Sequence, residues 1–371
     1  MATYKSIKYV IPVEAVEHTD SINALSDVDT VTTAPADGQI LKWNNADSKW
    51  YPGNSGGGSG ESSASGIQKA IFGFGDGMTS NYNYTSFKTT NLVSSTGVVA
   101  ANNTGVGSER GSLGAASYGG DKAIFGFGDA GTYYLGGVGK TNITNLVSNT
   151  GIVSSDVTGV GSARSSTTAS GYGEDKAIFG FGRTNSDSYA NVTNLVSNSG
   201  VVASDTTGVG TARRQLAAAR YGDDKALFGF GRFSGGRTSI TNLISNLGVV
   251  ATDTTGVPTG KSGAAAAGFG GDKAIFAFGY DTEKTSTSSL VSNTGVVSSE
   301  RTGVGTGRTT PGAAGYGGDK AIFGFGSKRN NPNLTQITNL ISNTGIVSSD
   351  ISNSGLQVRD SLAAAGYSTT A

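Results

Sequence analysis

The string KAIFGFG, residues 122–128, occurs six times in near-identical form, beginning at Lys69, Lys122, Lys176, Lys225, Lys273 and Lys320. Successive starts lie 53, 54, 49, 48 and 47 residues apart. A period of this size marks a repeat architecture in which each copy is one supersecondary unit. Every copy leads into a variable stretch and then into text like TNLVSNTG, at 91–97, 145–151, 194–200, 242–248, 290–295 and 339–345. Text like VVSSDTTGVGTAR and then LAAAGYGGD follows.

Each unit parses as four short strands. Residues 115–118 are small and apolar, as a strand crowded against an axis must be. In 123–128, Ile124 alternates with Phe125 and Phe127 among alanine and glycine, the pattern of a strand buried on both faces. Residues 145–148 alternate polar and apolar, as a half-exposed strand does, and 152–155 form the fourth and outermost strand. Gly119, Gly120, Gly128, Gly151 and Gly159 punctuate the unit as turns. Four strands in about fifty residues without helical periodicity predict an all-β chain, a six-bladed β-propeller with four-stranded blades. A stacked β-solenoid is the alternative.

The two ends of the repeat region separate these readings. The first copy enters at its second strand, 68–75, and the sequence closes on SLAAAGYSTTA, a first strand with no second strand after it. In a closed ring, 362–367 pairs beside 70–74 and hides edges that an open array exposes. A solenoid gains nothing from that arrangement.

Composition agrees with a folded, turn-rich chain. Glycine is abundant, at 59 residues, while proline numbers 6 and charged residues are 15% of the total. Lysine plus arginine equals aspartate plus glutamate, 27 each, so no net field attracts nucleic-acid phosphates or an anionic membrane. Neither a nucleic-acid partner nor membrane insertion is expected. Without cysteine, disulfides and thiolate metal sites are excluded. The first residues, MATYKSIKYVIPVEAVEH, lack the continuous apolar core of a secretory signal.

The units resemble degenerate kelch repeats. The matching positions are an arginine before the small-residue strand (Arg110, Arg164, Arg213, Arg308, Arg359) and a tyrosine followed by a small or turn residue (Tyr118, Tyr172, Tyr221, Tyr316, Tyr367). One unit has Lys261 and Phe269 instead, and the tryptophan expected late in a kelch blade is absent from all six. The recurrent arginines admit two readings, a polar ring on one face or buried side chains that bond neighbouring carbonyls.

Residues 1–66 are not repeat. The stretch LSDVDTVTTAPADGQILKWNNADSKWYPG, 25–53, resembles a module of bacteriophage tail-fibre and related virion proteins, and the repeat text is similar to repeat proteins of marine phages. Residues 1–53 are therefore read as an attachment or oligomerisation segment. In it Ile40, Leu41, Trp43 and Trp50 either form a mini-core or dock, with a hairpin turn at 44–49. A segment this short scarcely supports its own core, so packing against copies of itself or another virion protein is expected. Residues 54–66, NSGGGSGESSASG, read as a flexible linker, and 67–371 as the propeller.

Catalytic and metal chemistry find little support. The text at 154–159 begins like a sialidase Asp-box, but its glycine comes one place late and no tryptophan follows. The inner strands offer alanine and glycine where a glycosidase needs converging titratable groups. Asp76 and Asp129 superficially resemble the start of a calcium loop, yet the other units place Arg183, Arg232, Tyr280 and Ser327 there. No cofactor and no metal is expected. His18, beside Glu17 and Asp20, reads as a solvated loop. Asp121, Asp175, Asp224, Asp272 and Asp319, each before a repeat lysine, read as acid–base pairs at a tight turn.

The repeats disagree most between their second and third strands, at 76–89, 129–143, 183–192, 232–240, 280–288 and 327–337. Tyr82, Tyr84, Tyr133, Tyr134, Tyr189, Arg232, Phe233, Arg237 and Tyr280 fall there, residue types suited to adaptable recognition on one face. Drift in unconstrained loops would give the same variability. The resemblance implies a virion protein on the tail or capsid surface, in first place a tail fibre or receptor-binding protein that meets a host-surface glycan or protein. The alternative is a structural component of capsid, tail or baseplate without a host ligand.

Overall fold

In a computed structural model the described residues are 28, 39–44, 48–54, 68–79, 84–130, 139–256, 258–329 and 333–369. They are all-β, without helix, and built from small antiparallel sheets. The chain divides into two compact units, Met1–Gly56 and Gly57–Ala371. In the first, Gln39–Asn44 pairs antiparallel with Lys49–Asn54, setting Trp43 opposite Trp50, and Val28 bridges Trp50. The expected hairpin is thus present, but Asn54 pairs with Gln39 as the last strand residue and does not open the linker. His18 and residues 55–67 lie outside the described residues.

The second unit contains six sheets that share one plan: an inner, a middle and a third strand in antiparallel order. In the second repeat these are Gly114–Tyr118, Lys122–Gly126 and Thr144–Val147. The first repeat is completed by the end of the chain, Ala363–Ser368 pairing with Gln68–Gly73 from Gly73↔Ala363 to Gln68↔Ser368. Middle strands are buried on both faces because alternation splits them between two neighbours. Ile71 packs toward Phe125 of the second repeat, while Phe72 packs toward Ile322 of the sixth. Six such apolar clusters link consecutive repeats, and the sixth joins the sixth repeat to the first. Each seam holds one aromatic pair: Phe74–Phe125, Phe127–Phe179, Phe181–Phe228, Phe230–Phe276, Phe278–Phe323 and Phe325–Phe72, with centroids 4.8–5.6 Å apart.

A second circuit runs through the backbone. The backbone N–H of Ser166 donates to the carbonyl of Ser112, Gln215 to Ser166, Gly263 to Gln215, Thr310 to Gly263, Ser361 to Thr310, and Ser112 to Ser361, at 2.7–3.2 Å. The sequence of bonds returns to its start. All six residues are left-handed, φ +50° to +61°.

Two expectations change in detail. The middle strand stops at Gly126, not Gly128, because the second phenylalanine of every motif is left-handed, φ +61° to +63° from Phe74 to Phe325. Such a conformation costs a β-carbon-bearing residue about 1–3 kcal/mol and persists only where its surroundings hold it. The fourth strand is reduced to two bridges, Val147↔Val153 and Thr144↔Val157, which are one residue out of register with each other. Side chains replace the ladder between them. Asn145 Nδ2 donates to the Ser154 carbonyl at 3.0 Å, and the Leu146 N–H donates to Ser154 Oγ at 3.0 Å.

The recurrent arginines are the surroundings that hold the strained phenylalanines. All five are 0% exposed. Arg110 donates from Nε to the Phe127 carbonyl (2.9 Å), from one terminal nitrogen to the Ser108 carbonyl (3.1 Å), and from the other to Asn145 Oδ1. Its guanidinium also lies 4.4 Å from the ring centre of Phe74, the left-handed phenylalanine of the preceding repeat. Arg164 and Arg213 repeat every contact. Burial pushes the guanidinium of Arg213 down to about 10, with nearby Asp253 opposing the shift, so it stays charged at neutral pH. Asp156, Asp205, Asp253 and Asp350 stand behind four of these arginines, each also bonding the Ser or Thr two residues before its arginine. The fifth repeat changes all three partners together: Lys261 pairs with Glu300 at 2.6 Å, and Ser289 takes the asparagine's place. Of the two readings open at the sequence level, burial is the one observed. The Asp–Lys pairs also form at five turns, at 2.6–3.0 Å.

Two outcomes follow for stability. Deleting residues 363–371 strips the inner strand from one sheet and opens two seams; the melting temperature should fall by roughly 10 °C or more, and a normal melt would refute closure by this strand. Arg213→Met leaves three buried acceptors and Asp253 without their donor, at a cost of about 3–5 kcal/mol in chemical denaturation. By contrast Lys261→Arg alone should not stabilise the fold, whereas the triple change Lys261→Arg, Ser289→Asn, Glu300→Asp should match wild type. Additive effects of the three would show that the trio is not coupled.

Candidate functional site

Past each left-handed phenylalanine and its glycine, the chain pairs briefly with the residue that follows the buried arginine or lysine. The six pairs are Asp76–Asp360, Asp129–Gly111, Arg183–Ser165, Arg232–Arg214, Tyr280–Ser262 and Ser327–Thr309. The scaffold places one such pair per repeat on the same face. What it presents there differs in every repeat. Over the hydrogen-bonded circuit, which contributes Ser112, Ser166, Gln215 and Ser361, lies a depression of about 500 Å³ walled by Asp76, Tyr84, Asp129, Asp360, Arg183 and Arg214.

Charge is sorted along this wall. The first and second repeats supply the acids. Asp360 is buried and accepts a 2.7 Å hydrogen bond from the Tyr84 hydroxyl. Desolvation raises its proton affinity, while Tyr84, Ser361 and the Lys284 ammonium oppose the shift. Asp76 accepts from Ser86 Oγ at 2.7 Å. Its carboxylate occupies the space that a β-carbon at Gly111 would fill. Burial pushes Asp76 up to about 7, helped by the charges of Asp360 and Asp129. Lys284 is anchored by donating to Ser327 Oγ (2.7 Å) and the Lys328 carbonyl (2.9 Å).

The third and fourth repeats supply the bases. Asp187 pairs with Lys140 at 3.0 Å and with Arg183 at 2.9 Å, and Arg214 acts on it from farther away. The Arg214 guanidinium lies 5.8 Å from the ring centre of Tyr189, and its Nε is buried without an acceptor among the described residues. Opposite charges therefore face each other across the depression.

Comparison with protein-family models and with curated proteins finds no match for this chain.

Of the residues singled out from sequence, Tyr84 lines the depression. Tyr189 stands behind Arg214, and Arg232 bridges Arg214 through the backbone. Arg237 and Tyr280 form a separate pair, the guanidinium 4.2 Å from the ring centre, and Phe233 pairs across a tight turn with Gly236. Tyr82, Tyr133 and Tyr134 lie outside the described residues, as do the side chains of Ile40, Leu41 and Trp43; Trp50 is half-buried. Sequence reasoning missed Asp360 and Arg214. Their signal was the position after the recurrent arginine or its lysine, where Gly111, Ser165, Arg214, Ser262, Thr309 and Asp360 are of five different types. Among the described residues no group of three or more His, Cys, Asp or Glu is placed to hold a metal.

Asp76 gives the site a pH signature. Its folded value lies above the unfolded 3.8, so the native state favours the proton. The contribution of Asp76 is most favourable below about pH 4 and is lost as pH rises through about 7, by at most about 4 kcal/mol. Asp76→Asn mimics the protonated acid. Melting should be unchanged near pH 4 and shifted upward at pH 8 relative to wild type; equal melting at both would show that Asp76 is not held neutral.

Proposed function

We propose that the unit Gly57–Ala371 is a closed six-bladed β-propeller serving as a binding module, in a phage virion protein that attaches through residues 1–53 and presents this head for host-surface recognition. The return of both seam and hydrogen-bond circuits to their starting repeat supports the ring. The resemblance of 25–53 to tail-fibre modules supports the virion setting.

The observation that carries the reading is sidedness. Five repeats share the residues that join neighbouring sheets, the fifth in order substitutes a matched trio, and all six disagree on one face, where opposite charges are sorted around a depression. A binding module needs a varied face on an invariant scaffold. An enzyme is less favoured, because the inner strands carry mainly alanine, glycine and serine, with Arg220 as their one charged residue, in place of converging catalytic groups.

One observation favours a purely structural virion role instead. Val98, Ile152, Val201, Val249, Val296 and Ile346 occupy the same place in each repeat, after the turn glycine, and are 61–69% exposed. Repeated exposed β-branched residues suit lateral packing against other subunits.

Labelled full-length chain applied to a panel of marine bacteria and their purified surface polysaccharides separates the two. Saturable binding lost on replacing Tyr82, Tyr84, Tyr133 and Tyr134 together by alanine is the expected result. Absence of binding across the panel by folded protein would leave the structural role.

A further inference from the structure

The depression discriminates between ligand chemistries because its two sides are not equally in need of a counter-charge. On the acid side a cation is already present: the Lys284 ammonium acts on Asp360, while Tyr84 and Ser86 donate to Asp360 and Asp76. These carboxyl groups therefore suit hydroxyl groups, which can donate to and accept from them, and gain little from a second ammonium. On the basic side Lys140, Arg183 and Arg214 face one carboxylate, Asp187. That surplus, with planar forks that match an oxyanion in two-point fashion, calls for an anion. A ligand with an anionic group at one end and several hydroxyls at the other fits both sides at once.

Building on the recognition role proposed above, we infer that the depression binds an acidic sugar unit of a surface glycan. Its carboxylate sits on Arg183 and Arg214, and its hydroxyls on Asp76, Asp129 and Asp360. The Tyr84 ring, held by its hydroxyl bond to Asp360, supplies an apolar wall beside the sugar. The backbone circuit beneath fixes the distance between the two arcs, so the spacing of acid group and hydroxyls is read by a rigid frame.

The test uses the full-length chain with oligosaccharides of D-glucuronate, the same oligosaccharides with the carboxyl reduced to the neutral sugar, and glucosamine oligomers, followed by titration calorimetry. Glucuronate oligomers should bind at least tenfold more tightly than either of the others. Arg214→Gln and, separately, Arg183→Gln should each weaken that binding tenfold or more. Asp129→Asn should weaken it roughly threefold to tenfold. Lys176→Gln, at the turn on the opposite end of a middle strand, should leave it unchanged. Melting curves confirm that each variant is folded. Equal affinity for the reduced oligomer, preference for glucosamine, or wild-type binding by both arginine variants would overturn the assignment. Cell binding by a chain that ignores every acidic sugar overturns this inference alone; a chain that binds neither cells nor sugars overturns the recognition role with it.

Discussion

A buried guanidinium packed between left-handed phenylalanines is the interaction on which the joined repeats depend. Three arginines, Arg110, Arg164 and Arg213, tie the carbonyl of their own repeat's phenylalanine, and all five cover the ring of the preceding one. Desolvating a cation is costly, and the site offsets this with two or three oxygen acceptors, an aromatic face and, in four repeats, an aspartate behind. The left-handed turn it holds does two jobs. It ends the middle strand in five repeats and breaks its register in the third, and it turns the next residues onto the face where the candidate site lies. Architecture and site are thus set by the same contact.

The repeat with Lys261, Ser289 and Glu300 shows how strict that contact is. A shorter, point-like ammonium cannot reach three acceptors at once. Its carboxylate partner is one methylene longer, and the amide that would have competed for it is gone. The trio reads as one unit of selection for geometry, not three independent surface choices.

Much of this was written plainly in the sequence, and the omissions have physical causes. The KAIFGFG period, the crowded alanine strand and the pairing of 362–367 with 70–74 all follow from pattern, because they depend on side-chain size and on hiding strand edges. The left-handed phenylalanine does not, since FGFG also reads as plain alternation and its partner is distant, in three repeats an arginine seventeen residues earlier in the chain. The fourth strand was overestimated because Asn145 and Ser154 offer side-chain bonds in place of a ladder. Within the site, the varied loops drew attention to tyrosines, whereas Asp360 and Arg214 sit beside invariant arginines and vary at a single position. Charge sorting among them is a property of the joined repeats and has no image in any one of them.

The pairing of Gln68–Gly73 with Ala363–Ser368 also bears on mechanics. Both ends of the repeat region are locked into one sheet, so there is no terminal repeat to fray. A linear array sheds its outermost units one at a time and yields gradually to tension. Here a load on the chain meets a single clasp whose release exposes two seams together, and resistance is all-or-none. Below that threshold a load would leave the faces of this unit undistorted.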